Sequence, residues 1–238
     1  MLIKQNQGFT LVEMMITVLL AGIIMAAVYS AYLTMQKSYV VQDQVAEMQQ
    51  TLRAAMDYVV RDIRMAGYNP TKKANAGIVT ATAGQLRVSK DITDNAGTGT
   101  DGDGDVADQN EDTLFSFIPA DDANNDGIAD AGAGIFARQA QAGAGGAPFQ
   151  DLAENIVAVE FNYILKNGTE TQTPTAAQLA EIENIQISML ARADRSDPDF
   201  PGGERFEPGS GKTVWGPFND RFRHRMLITT VQCRNLGF

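Results

Sequence analysis

The hydrophobic pattern of the chain changes twice. From Phe9 to Met35 apolar and small residues follow one another with a single charged side chain, Glu13. That run exceeds the ~20 apolar residues that carry a helix across a bilayer core. Beyond it, Val41, Val45, Met48, Leu52, Met56, Val59 and Ile63 recur at spacings of four and three, with Gln, Asp, Glu and Arg between them. This is one apolar stripe on a polar rod. No proline stands between Phe9 and Asn69, and Gly67 followed by Pro70 supplies a stop. The two segments together predict one helix of about 58 residues, roughly 87 Å at 1.5 Å per residue. Residues 9–35 form its apolar part and residues 36–68 an amphipathic stem. The stripe on the stem suits two uses: cover for the domain that follows, or the seam of a coiled coil whose heptads last barely three repeats.

From Gly77 the period shortens to two. Gly77–Thr82 and Gln85–Ser89 read as strands around an Ala-Gly turn, Thr113–Ile118 as a third, and Gly134–Ala137 as a weak fourth. Asn155–Leu165 places Val157, Val159, Phe161, Tyr163 and Leu165 on one side, as a strand with one buried face does. Ala176–Glu183 predicts a short helix behind Thr173-Pro174-Thr175, leading into a strand at Ile185–Ala191, and Arg225–Val231 closes the sheet. The fold class that results is α+β, with a long N-terminal helix packed on an antiparallel sheet formed by residues 69–238.

Charge then modifies this picture. The chain has 238 residues and a net charge of −10, which makes nucleic-acid phosphates poor partners. Of its 29 acids, 12 fall in residues 91–130, where no Lys or Arg occurs. Such an insertion repels itself, and either stays a solvated loop or is organised by cations. Asp122, Asn124 and Asp126 followed by Gly127 give the opening of a calcium loop, in which alternate oxygens converge on the ion and glycine permits the turn. The carbonyl of Ile128 and the carboxylate of Asp130 would be the next ligands, but Ala133 stands where a bidentate Glu belongs. A second series, Asp101, Asp103 and Asp105, has Asp112 at the twelfth place and Val106 where glycine is needed. Ca²⁺ is the one cofactor the composition suggests.

Catalytic chemistry finds little support. His224 is the only histidine and lies between two arginines at the start of the last strand, a place for structure rather than proton transfer. Cys233 is the only cysteine, so no intrachain disulfide forms, and a buried thiol is expected. The glycine-rich stretch around Gly132 and Gly143 follows no strand-to-helix pattern and reads as linker. Ser196–Pro217 reads as a long surface loop whose Trp215, with Phe218 just beyond, tucks back onto the domain or serves as a contact.

The start of the chain carries the sharper signal. Met1–Gly8 is short and polar with one charge, Lys4, and ends in glycine against the apolar run. A secretory signal would instead place its cleavage site after the apolar run and discard it. Gly8, Phe9 and Glu13, with Thr10, Leu11 and Val12 between, resemble the class III signal of type IV pilins and pseudopilins. The resemblance implies a leader at residues 1–8, cleavage after Gly8 by a prepilin peptidase and methylation of the new amine on Phe9. Losing Lys4 with the leader would take the net charge from −10 to −11. It also implies a use for Glu13: pairing with the Phe9 amine of a neighbouring subunit, so that two charges costly in lipid neutralise each other. Without such a partner, Glu13 reads as an acid snorkelling to the membrane edge.

R-D-I-R-M-A-G-Y-N-P at Arg61–Pro70 and R-H-R-M-L-I-T-T-V-Q-C-R-N at Arg223–Asn235 narrow the likeness to the PilW-like family of minor pilins. What that implies is a non-enzymatic subunit that primes or supports a type IV pilus. It would sit in the inner membrane with a cytoplasmic N-terminus and periplasmic head, then in the pilus, with minor and major pilins and the inner-membrane assembly machinery as partners. A pseudopilin of type II secretion and an adhesive tip module are the alternative readings. The apolar segment lacks the proline that many major pilins carry there and offers only Gly22.

Overall fold

The computed structural model describes residues 8–94, 102–141 and 146–236. It divides into two units, Met1–Gln44 and Val45–Phe238. Helix α1 (Leu11–Met65) runs continuously through the end of the first and the start of the second. In the first unit every residue from Leu11 to Val40 is exposed.

The second unit holds the remainder of α1 and ten strands: β1 (Ile78–Ala81), β2 (Leu86–Ser89), β3 (Asp112–Phe117), β4 (Gly134–Ala140), β5 (Gln150–Leu165), β6 (Glu170–Thr171), β7 (Ile182–Arg192), β8 (Glu204–Phe206), β9 (Trp215–Phe218) and β10 (His224–Gln232). The main sheet is antiparallel in the order β1-β2-β3-β4-β5-β7-β10, with β6 also paired to β5. The stem's stripe covers one face of it. Leu52, Met56, Val59 and Ile63 are buried in one cluster with Phe115, Phe136, Phe161, Tyr163 and Ile187. The stripe is therefore domain cover.

β5 departs from the single buried face that its pattern suggests: every residue from Ile156 to Tyr163 is buried. A bulge explains it. The register to β7 slips between Ile156 and Ala158, so Ile156 and Val159 join the helix-side cluster while Val157 and Ala158 join a second one with Leu190 and Trp215. The cover on that second side comes from the segment expected to be a loop. β8 and β9 pair as a small sheet of their own and place Phe206, Trp215 and Phe218 over β5 and β7. Trp215 tucks back as expected, but on a strand. β4 is also longer than the weak strand anticipated. Gln139 and Ala140 extend it beside Leu114 and Thr113 of β3. Ala176–Glu181 is a short 3₁₀ helix of two turns rather than an α-helix. Gln178 caps its start by accepting from the Thr175 backbone N–H and hydroxyl, and no residue of the helix is buried to prolong it.

His224 is buried beneath the small sheet. Its Nδ1 lies 3.7 Å from Glu204 Oε2 and its Nε2 3.8 Å from Asp220 Oδ2, and its ring stacks on Phe218 at 4.4 Å between centroids. Burial pushes its pKa down; Asp220 and Glu204 pull it up less, and Arg192 adds to the depression. The unfolded chain therefore takes up this proton at a higher pH than the fold does. His224 contributes stability above an ordinary histidine value of about 6.5, and loses it as pH falls towards the lower folded value. The melting temperature should drop between about pH 7 and pH 5, and His224→Gln should flatten that slope. An unchanged slope in the variant would remove His224 as the cause.

Candidate functional site

Helix α1 opens with a capping box. Thr10 and Glu13 are three residues apart, and the Glu13 carboxylate accepts from the Thr10 backbone N–H at 2.8 Å and from its hydroxyl at 2.9 Å. In return the Thr10 hydroxyl oxygen accepts from the Glu13 N–H at 3.2 Å, so donors left over at the helix start are satisfied reciprocally. The acid thus has a structural use within its own chain. The T-x-x-E spacing of Thr10 and Glu13 signals it.

Both bonds use Oε2. Oε1 accepts no hydrogen bond among the described residues and remains available to a donor from outside the chain. Around it Phe9, Leu11, Val12 and Ile16 are all exposed. The segment is long and apolar enough to cross a membrane, and its apolar stretch is exposed throughout. Among the described residues a Cβ on Gly8 would meet nothing within 4 Å. The fold places no demand for glycine at that position.

The described carboxylates of the acidic insertion are held largely by its own backbone N–H groups. Glu111 is buried, and its carboxylate accepts from the N–H groups of Ile92, Thr93 and Asp108 and from the Thr93 hydroxyl. Asp112, expected as a twelfth calcium ligand, is the first residue of β3. Its two oxygens take the forked guanidinium of Arg87 on β2, a strong bidentate pair. This corrects its assignment to a loop: the partner lies outside the insertion, where the local charge count could not show it. Asp103 and Asp105 form successive turns, accepting from the N–H groups of Asp105 and Ala107 at 3.1 and 2.8 Å. Asp101 lies outside the described residues.

The other loop is more closely drawn. Asp122 is buried and accepts from the N–H groups of Asp126 and Gly127 at 3.2 and 2.9 Å. Asn124 Oδ1 also accepts from Asp126 N–H at 3.1 Å, Asp126 accepts from Ile128 N–H at 2.8 Å, and Asp130 from Ala123 N–H at 2.9 Å. Gly127 has φ +84, and a Cβ on it would meet the Val159 carbonyl oxygen at 2.3 Å, so glycine is required for the loop to lie against β5 whatever else it does. Ile128 bridges Ala158 there. Among the described residues no group of three or more His, Cys, Asp or Glu side chains could hold a metal ion. Oxygen donors at this loop would have to include Asn124 and the Ile128 carbonyl.

An uncovered apolar helix running into the cover of an antiparallel sheet defines the fold class as type IV pilin-like. Comparison with known proteins agrees. Residues 3–29 match the prokaryotic N-terminal methylation motif. The fold matches that of the type IV-like pilin TTHA1219 from Thermus thermophilus with a TM-score of 0.52 at 15% identity, covering 81% of this chain and 100% of that one. No curated protein matches the chain. The chain is thus pilin-like in fold and carries a prepilin motif, which implies processing by a prepilin peptidase.

Because a Cβ at position 8 would meet nothing within 4 Å among the described residues, Gly8→Ala should unfold with the same thermal midpoint as the parent chain. It should nevertheless stay at precursor size on a gel when expressed with a prepilin peptidase. A normally cut variant would contradict the site at Gly8.

Proposed function

We propose that this chain is a structural minor pilin of PilW-like kind, acting by assembly rather than catalysis in a type IV pilus. The observation that carries the reading is the uncovered apolar helix with a carboxylate oxygen left free at its start. Lipid supplies the first cover, with the N-terminus cytoplasmic in keeping with Lys4 and the head in the periplasm. Cleavage after Gly8 frees the Phe9 amine, and in the filament the amine of a neighbouring subunit reaches Glu13 Oε1. The helices of other pilins then replace lipid around Leu11–Val40. A buried charge pair of this kind sets register more than it adds stability.

Glu13→Ala separates processing from incorporation. The variant should be cut normally and accumulate in the inner membrane, while its amount in sheared pili falls at least about tenfold, as loss of one buried charge partner would cause. Parental levels in sheared pili would refute the pairing role.

We also propose Ca²⁺ for the Asp122 loop alone, where Asp122, Asn124 and Asp126 already bring side-chain oxygens to one backbone segment. A site of the weak extracellular kind, with Kd near 10⁻³ M, would add about 1.4 kcal/mol at roughly 10 mM Ca²⁺. That corresponds to a melting temperature about 3–6 °C higher than in chelator, and Asp126→Ala should abolish the shift. Equal midpoints with Ca²⁺ and with chelator would leave the loop closed by its own amides.

A further inference from the structure

The two ends of the main sheet are treated differently. Exposed sheet edges recruit stray strands, so they are usually short, broken or covered. β1 follows that practice: it has four residues, its register slips between Ile78 and Thr80, and the Ala176–Glu181 helix packs beside it. β10 does not. Its nine residues pair with β7 in unbroken register from His224 opposite Arg192 to Gln232 opposite Asn184, without a proline. Among the described residues nothing pairs with its outer edge.

A groove of about 700 Å³ lies between that strand and α1, with the buried Val60 and half-buried Leu227 among the residues that line it. Arg53, Arg61 and Arg64 line it too, and all three are exposed. Among the described residues their guanidinium groups have no hydrogen-bond or ion-pair partner. Asp57 is the single acid in the lining. Three unpaired cations against one acid, in a chain of net charge −10, mark a surface that attracts carboxylates.

We propose that β10 and this groove receive an extended acidic segment of a neighbouring filament subunit, which adds to the sheet as a further strand and lays its carboxylates along Arg53, Arg61 and Arg64. The spacing suits it. The eleven helical steps from Arg53 to Arg64 span about 16 Å, and acids at alternate positions of a strand recur about every 7 Å, so three fit that length. Main-chain bonds to β10 supply affinity and the arginines supply selectivity, as in other strand additions. The inference rests on the filament-subunit reading above and assigns the head one of its contacts.

The test uses the full chain in detergent and a fluorescein-labelled peptide of about ten residues alternating Asp and Val. The peptide should bind at low salt, while a Lys-Val counterpart should not. Arg61→Glu together with Arg64→Glu, both at exposed positions, should weaken binding at least about tenfold. So should N-methylation of alternate peptide amides, which blocks strand pairing and leaves the charge. Equal binding of the N-methylated peptide would mean charge attraction without an added strand and would overturn the proposal. So would self-association of the parent chain that the double variant abolishes, with no peptide bound, because the face would then belong to a second copy. In cells the double variant should be depleted from sheared pili but present in the membrane. If Glu13→Ala blocks incorporation and the double variant incorporates normally, the docking site falls while the filament reading stands. If both incorporate normally, both fall.

Discussion

Thirty consecutive exposed residues, Leu11 to Val40, pose the problem that the rest of the molecule answers. Covering one large apolar side chain is worth about 1.5–3 kcal/mol, and this stretch carries over a dozen of them in the open. Their exposure to water is unfavourable. Lipid is a medium that takes such a surface, and a helix is the form that enters it without stranding backbone donors. The weak point of such a helix is its first turn, where N–H groups lack partners. Thr10 and Glu13 close that turn using one carboxylate oxygen. The other accepts no hydrogen bond among the described residues, so the acid that starts the helix keeps one oxygen open.

At its other end the same helix is held without a disulfide. Gly67 takes φ +80, and its N–H donates to the Ser89 carbonyl. A Cβ on it would meet the Asn235 carbonyl oxygen at 2.7 Å. The Asn235 side-chain amide donates to the Arg64 carbonyl, one of those a helix leaves unpaired, and the buried Lys90 ammonium reaches Asp62 at 2.7 Å. Cys233 beside them is a buried free thiol whose pKa burial raises to about 12. The R-D-I-R-M-A-G-Y stretch and the closing R-N therefore meet in space. Distant in sequence, the two stretches constrain each other as parts of one clamp.

The long helix, its stop at Gly67 and the positions of most strands were legible from periodicity, because each depends on local spacing. What escaped had partners far away. The second buried face of β5 needs a bulge at Val157 and aromatic cover from Phe206, Trp215 and Phe218, some 50–60 residues downstream. Asp112 looked like a loop acid until Arg87 was placed on the neighbouring strand. The capping box was local and readable in T-x-x-E, but the apolar run around Glu13 drew attention to its charge rather than to its spacing from Thr10.

The described residues of the acidic insertion show how a segment dense in like charge can hold defined turns. Its carboxylates face two ways. Glu111 and Asp122 are turned inward, where backbone N–H groups supply positive dipoles at no cost in counter-charge. Asp105, Asp126 and Asp130 remain exposed to solvent, where water and salt screen their repulsion. A cation at the Asp122 loop would therefore not have to build the turn, since amide donors and the close approach of Gly127 to β5 already do so. It would act on a shape that exists, which favours weak binding with a small stabilising effect over folding that depends on metal.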